Sequence, residues 1–232
     1  MAVRSIVGAI LPLPIAIADN KPAAFTPLAG EVLLVRILRT MFGAVSEQAT
    51  VVAAAEPLVD DVRECIAAHG LSVGVVAAAG TRAQCLTAGL EYFERESISP
   101  RHVLIQDVRR PLTSAGMCER VVAELRSGSD VVMPMLAMTD SVKAVDAAGT
   151  VTRTLDRSAL RSVQFPRGFA TDHLARLLAQ FTSDEFDELE ETVRAGVPIA
   201  VVDGEADAFV ADLPRDTAIV EAIIACRPTG HS

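Results

Sequence analysis

Residues 6–25 read Ile6-Val7-Gly8-Ala9-Ile10-Leu11-Pro12-Leu13-Pro14-Ile15-Ala16-Ile17-Ala18-Asp19-Asn20-Lys21-Pro22-Ala23-Ala24-Phe25. Residues 6–11 form an apolar run of strand length without polar alternation, the pattern of a strand buried on both faces of a sheet. Pro12 and Pro14 predict its end. A nucleotide-binding α/β fold carries glycines in the turn that follows, because backbone amides wrap a phosphate only where the chain takes positive φ and approaches closely. From Ala9 to Phe25 there is no glycine. Pro12 and Pro14 also lack N–H donors, and the β-branched Ile15 and Ile17 resist such a turn.

Outward from this stretch, apolar runs alternate with helical stripes. Leu33, Leu34, Ile37, Leu38 and Met41 mark a helix, and Val51-Val52-Ala53 a second strand. Pro57 opens a helix carrying Leu58, Val62, Cys65 and Ile66, with Gly70 as its stop. A third strand spans 71–76, and a helix with Leu86, Leu90 and Phe93 starts near Thr81. Val103-Leu104-Ile105 is a strand ending at Gln106-Asp107. Thr113 or Ser114 caps a helix bearing Met117, Val121, Val122 and Leu125, and a strand follows at 130–135. This alternation predicts a doubly wound, mostly parallel α/β sheet. Residues 139–157 break it with a hairpin too poor in apolar surface to stand alone, a β-arm whose simplest support is a second subunit. An acidic segment at 181–194, a strand at 198–202, a helix near 215–226 and a frayed tail at 227–232 complete a single domain over 1–226.

Bulk composition narrows the function. The 232 residues carry a net charge of −9, with 50% hydrophobic and 4% aromatic residues, no Trp and one Tyr. Nucleic-acid and anionic-membrane partners are disfavoured, since both need clustered Lys and Arg, and base stacking needs aromatics. No apolar stretch reaches the ~20 residues of a membrane span, and Met1 to Ser5 lead directly into the first strand rather than a signal peptide. Cys65, Cys85, Cys118 and Cys226 show no Cys-x-x-Cys spacing and fit reduced thiols in a cytoplasmic protein. His69, His102, His173 and His231 lack metal-ligand spacing, which favours packing or surface roles. Cys85, at a helix start, is the thiol that a helix dipole would activate.

Ligands of an open parallel sheet bind beyond the carboxyl ends of its strands. Three such ends are polar here: Ala79-Gly80-Thr81-Arg82, Gln106-Asp107-Val108-Arg109-Arg110-Pro111, and Thr139-Asp140-Ser141-Val142-Lys143. Gly80 and Thr81 present a helix start to a phosphate or a base edge. Asp107 suits magnesium, which favours one or two carboxylates plus substrate phosphates. Arg110 suits a phosphate, or orients Asp107 as a bidentate partner. A structural Asp–Arg pair at the loop entrance is the alternative.

The order of these segments resembles the 2-C-methyl-D-erythritol 4-phosphate cytidylyltransferase family over roughly residues 5–226. Val103 to Pro111 is similar to the family's VLVHDAARP. Thr139-Asp140-Ser141-Val142-Lys143, Leu155-Asp156-Arg157-Ser158-Ala159-Leu160 and Val163-Gln164-Phe165-Pro166-Arg167-Gly168-Phe169 match equally well, and Ala79 to Arg82 and Val202-Asp203-Gly204 match more weakly. The resemblance implies a Rossmann-like nucleotidyltransferase fold, CTP and magnesium as ligands, a polyol phosphate substrate and a homodimer clasped by the arm. It implies that Asp107 is the metal and nucleotide aspartate, Arg110 its neighbouring arginine, and Gly80 and Arg82 the cytosine-side residues. Asp140 and Lys143 would bind the methylerythritol phosphate, Arg157 would act across the dimer, and Asp187 aligns with a site aspartate.

Departures gather where the chemistry is concentrated. The family loop AAGxGxR falls on Leu13 to about Ala18, with neither Gly nor Arg. The Pro-Lys after it reads Pro22-Ala23, leaving Lys21 to reach the same phosphate. Gln106 stands for a histidine, Gln84-Cys85 for Asp-Ser, Phe165 for a threonine, and Val210 for a lysine. Each lost preorganised donor costs about 10²–10³ in rate, so the expectation is a weak or inactive cytidylyltransferase. The alternative is a non-catalytic paralogue acting as a structural or regulatory dimer partner.

Overall fold

The structure, a computed structural model, describes residues 6–181 and 186–227. The segment before the first strand, the tail 228–232 with His231, and Asp184 and Glu185 of the acidic run lie outside the described residues.

The first strand, β1 (Val7–Leu13), is buried at all seven positions and runs through Pro12. The register explains why this proline does not end it. Gln106 N–H donates to Ile10 O at 3.2 Å, so Ile10 faces the strand β6 (His102–Ile105). Pro12, two residues on, faces the same side where that pairing has already stopped, so its missing donor interrupts no ladder bond. The chain then makes two short helical turns, α1 (Ile15–Ala18) and α2 (Pro22–Phe25), a small hairpin of β2 (Pro27–Leu28) and β3 (Glu31–Val32), and α3 (Leu33–Phe42).

The α/β alternation continues with β4 (Thr50–Ala55), α4 (Val59–Ala68), β5 (Gly74–Ala78), α5 (Arg82–Arg95), β6, α6 (Ala115–Ser127) and β7 (Val131–Ala137). Thr81 caps α5 in a reciprocal capping box with Gln84, and Ser114 caps α6 by accepting from Met117 N–H at 3.0 Å. Gly70 takes φ +64 just past α4. The arm is β8 (Lys143–Val145) paired with β9 (Val151–Thr154), a separate two-stranded sheet with Val145 and Val151 exposed. Then come β10 (Arg161–Val163), β11 (Arg167–Ala170), α7 (Thr171–Gln180), α8 (Glu188–Arg194), β12 (Ala200–Asp203) and α9 (Thr217–Cys226).

In the main sheet β5, β4, β1 and β6 are parallel neighbours. β11 then lies antiparallel to both β6 and β7, β10 pairs antiparallel with the end of β7, and β12 runs parallel to β7. The sheet is thus mostly parallel and wound on both faces, with two strands in the 158–170 segment, β10 and β11, that run antiparallel to their neighbours and that patterning leaves unassigned. Along β1 the two faces alternate: Ala9, Leu11 and Leu13 join the core under α3, α4 and α6, and Ile10 joins that under α5 and α7. Gly168 in β11 lets α6 approach, since a Cβ there would meet Val121 and Leu125 side-chain atoms at 2.7 Å. Among the described residues no helix is long and apolar enough to cross a membrane.

Candidate active site

Parallel β1, β5 and β6 bring their carboxyl ends to one edge of the sheet. A cavity of about 260 Å³ opens there, lined by Pro12, Ile17 and Asn20 from one side and Arg82, Asp107 and Arg109 from the other.

The wall after β1 is closed on itself. Ile17 N–H donates to Pro14 O at 2.8 Å, Asn20 to Ile17 O at 3.1 Å, Ala23 to Asn20 O at 2.9 Å and Ala24 to Lys21 O at 3.0 Å. Ile15 N–H reaches across to Gly80 O at 2.7 Å. Where a phosphate loop would aim its amides at a ligand, these amides are spent on two helical turns and on the α5 approach. Gly80 takes φ +140, open in practice only to glycine, and so carries the turn that receives Ile15.

Asp107 follows β6 and is almost fully buried. Its partner is Arg109, not Arg110. Arg109 Nη2 lies 2.7 Å from Oδ2, Nε 3.1 Å from Oδ1, and the Arg109 backbone N–H 3.0 Å from Oδ1. Burial pushes this carboxyl up, but the Arg109 bonds and charge, with Arg82 nearby, outweigh it and hold the group below the usual carboxylate range. Arg110, expected to orient Asp107, turns away to the carbonyls of Ala208 and Val163 and is buried. The structural Asp–Arg pair does exist, one residue earlier than its counterpart in the resemblance.

Arg82, the first residue of α5, lines the cavity, but its Nε donates to Glu188 Oε1 at 2.6 Å. Glu188 is fully buried and also accepts from Arg167 Nη1 at 2.6 Å, while Arg167 bonds Asp187 at 3.1 Å. Phe165 sits among the guanidinium groups, with Arg167 at 4.3 Å, Arg82 at 5.3 Å and Arg110 at 5.6 Å from its ring centroid. Sequence reasoning missed this cluster of Arg167, Glu188 and Phe165. It missed Arg109 as well, although an aspartate accepting from the backbone two residues on is a recognisable local signal.

The other expected site residues lie elsewhere. Lys21 does not line this cavity: its Nζ is 2.5 Å from Asp61 Oδ2, beside a separate groove with Phe25 and Cys65. Asp140 is exposed between β7 and β8, and Lys143 Nζ donates to Thr154 Oγ1 at 2.8 Å across the arm. Arg157 donates to Thr139 O. None of the three lines the cavity. Cys85 is buried, and burial pushes its thiol up to about 12, the reverse of activation.

Asp107 as placed does not fit a magnesium ion. Both its oxygens already accept from Arg109, so the carboxylate that would meet the ion is occupied by a cation.

A sheet in which one antiparallel strand separates β6 from β7, with its ligand edge at the ends of β1 and β6, defines an α/β nucleotidyltransferase-type domain. Residues 16–226 match the model of the 2-C-methyl-D-erythritol 4-phosphate cytidylyltransferase family, and the chain belongs to that family. It is 34% identical over 208 residues to a protein of that name from Rhodococcus opacus, covering 90% of this chain and 89% of the relative. A relative of the same name from Saccharopolyspora erythraea is 34% identical over 204 residues, covering 88% of this chain and 91% of the other. The crystal structure of the Thermus thermophilus protein of that name superposes with a TM-score of 0.72 at 28% identity, covering 95% of this chain and 99% of that one.

Proposed function

We propose that the cavity between the ends of β1 and β6 binds CTP and that the chain carries out its family's transfer. An oxygen of the 4-phosphate of 2-C-methyl-D-erythritol 4-phosphate attacks the α-phosphorus of CTP, a new P–O bond forms, and pyrophosphate leaves. The observation that supports this most is the convergence of Arg82 and Asp107 on one cavity at the ligand edge of the sheet, in a chain of this family. On this reading Gly80 and Arg82 hold the base side, and Arg110 backs Arg82 from behind through the Phe165 ring they share. Asp140, Lys143 and Arg157 receive the polyol phosphate in the cavity of a second copy, in a cytoplasmic homodimer clasped by the arm. The exposed Val145 and Val151 of the unsupported hairpin favour that dimer.

Turnover is slow on the same reading. Positioning and charge stabilisation are nearly all that such phosphoryl-type chemistry asks of a protein, and each missing donor removes about 10²–10³ in rate. The amides of Ile17, Asn20, Ala23 and Ala24 are committed to their own turns and that of Ile15 to Gly80, which favours a second reading: a paralogue that binds CTP, or only its own copy, without turnover. Thermal melting with and without CTP is the first test. A ligand at about 100 times its dissociation constant adds about 2.7 kcal/mol, and no shift at millimolar CTP removes the enzyme reading. Given a shift, pyrophosphate release with methylerythritol phosphate decides catalysis.

A further inference from the structure

Arg109 is a charged cavity residue for which the family resemblance offers no role, since the matching position of VLVHDAARP is alanine. Its guanidinium approaches Asp107 in a two-point fork, 2.7 and 3.1 Å, and its own backbone N–H adds a third bond at 3.0 Å. A guanidinium has five N–H donors in a fixed plane, of which two are used here. The others meet no acceptor among the described residues, and the Arg109 side chain is 53% exposed on the cavity wall. Nearby, Arg82 Nε is held by Glu188 and Arg82 Nη2 is buried, while the N–H groups of Ile15, Ile17 and Asn20 are held by backbone carbonyls. A divalent ion on Asp107 would first have to displace a cation from a nearly buried carboxylate and then sit beside it.

We propose that Arg109 stands in for the divalent cation at this site. Clamped on Asp107, it neutralises the carboxylate and offers its outward N–H groups to the phosphate oxygens of a nucleoside triphosphate, so the cavity binds free nucleotide without magnesium. The proposal rests on the reading of the cavity as a nucleotide site and adds how the phosphates are received.

The test titrates CTP into the full chain by calorimetry, in EDTA and in millimolar magnesium, and titrates manganese(II) alone by electron paramagnetic resonance. The expected dissociation constant for CTP agrees between the two buffers within about threefold, and the wild-type chain holds no manganese. Arg109→Ala is expected to weaken CTP in EDTA by about tenfold or more and to recover part of that loss with magnesium. It is also expected to gain a manganese site that Asp107→Asn removes in the double variant. Wild-type affinity that falls about tenfold on replacing magnesium with EDTA overturns the proposal and leaves the nucleotide site standing. Absence of CTP binding in either buffer overturns the nucleotide site itself. The wild-type comparison decides the question even if Arg109→Ala fails to fold.

Discussion

Replacing Glu188 with Gln isolates what the arginine cluster contributes. The carboxylate is fully buried and accepts from Arg82 and Arg167 at 2.6 Å each. Hydrogen bonds to a charged group are worth about 1.5–3 kcal/mol apiece. A glutamine keeps one acceptor oxygen but points an NH₂ at the other guanidinium, leaving at least one cation unmatched. Breaking a buried pair from one side costs about 3–5 kcal/mol. Two features favour the lower end: the Arg82 side chain is 20% exposed and can turn to cavity water, and Arg167 retains Asp187. The expected loss is therefore about 3 kcal/mol, which for a domain of this size lowers Tm by about 6–12 °C. Urea unfolding at unchanged slope is the assay. Arg167→Met in the Glu188→Gln background should cost less than in the wild type, the signature of coupling in a double-mutant cycle. A Glu188→Gln variant within about 1 kcal/mol of wild type would show that packing around Phe165, and not the shared carboxylate, holds α8 against β11.

Other perturbations have equally definite outcomes. Gln106 is fully buried, and both atoms of its amide lack a partner among the described residues, so Gln106→Met is expected to raise stability by about 1–2 kcal/mol in urea melts. His102 and His173 are buried, and burial first, then neighbouring arginines, holds both imidazoles below their usual range. The folded state therefore prefers the neutral rings: their contribution is complete above about pH 6.5 and is lost as pH falls through the folded values, so Tm should drop from neutral to acid pH. His173→Phe, stacking on Phe169 as the imidazole does, should flatten that dependence. Lys21→Ala should leave CTP affinity within about twofold, because an exposed pair with Asp61 is worth only about 0–1 kcal/mol and lies outside the cavity; a tenfold loss would place the lysine on the phosphates.

The fold was legible where one physical pattern acts alone. Val7 to Leu13 and Val103 to Ile105 are apolar on both faces, and Thr81 and Ser114 announce their helices by capping chemistry. The antiparallel β10 and β11 were not, because strands of three and four residues hold no period, β10 is largely exposed, and Arg167 is polar where a buried strand should be apolar. Their place is set by partners on β6 and β7, far away in sequence. α7 went unassigned too, although Leu174, Leu177 and Leu178 stand at helical spacing. In the site, the sequence placed Asp107 and Arg82 correctly at strand and helix ends but chose the wrong arginine. Side-chain direction decides between Arg109 and Arg110: Arg109 turns back to Asp107 in the loop, while Arg110 points under β10 to Val163 O. Arg167 and Glu188 meet through a contact between β11 and the start of α8, which no local pattern encodes.

The missing glycine loop and the extra arginine belong to one electrostatic problem. A nearly buried carboxylate at Asp107 repels phosphate unless a positive charge stands on it, and the loop after β1 supplies no arginine and has most of its amides tied to carbonyls. Ile15 N–H on Gly80 O fixes the loop against the start of α5, so it cannot open toward a ligand without breaking that tie. Under those constraints a cation delivered by the protein at Arg109 cancels the charge on Asp107 from within. Ground-state binding of a triphosphate can then survive without the loop, while stabilisation of charge that develops in the transition state, the part supplied by converging amides, is lost. Nucleotide affinity and catalytic rate should therefore separate in this chain: CTP bound at ordinary affinity, with turnover depressed by more than any single donor accounts for. Equal losses in both would mean that the folded loop, and not the missing transition-state donors, is what limits the site.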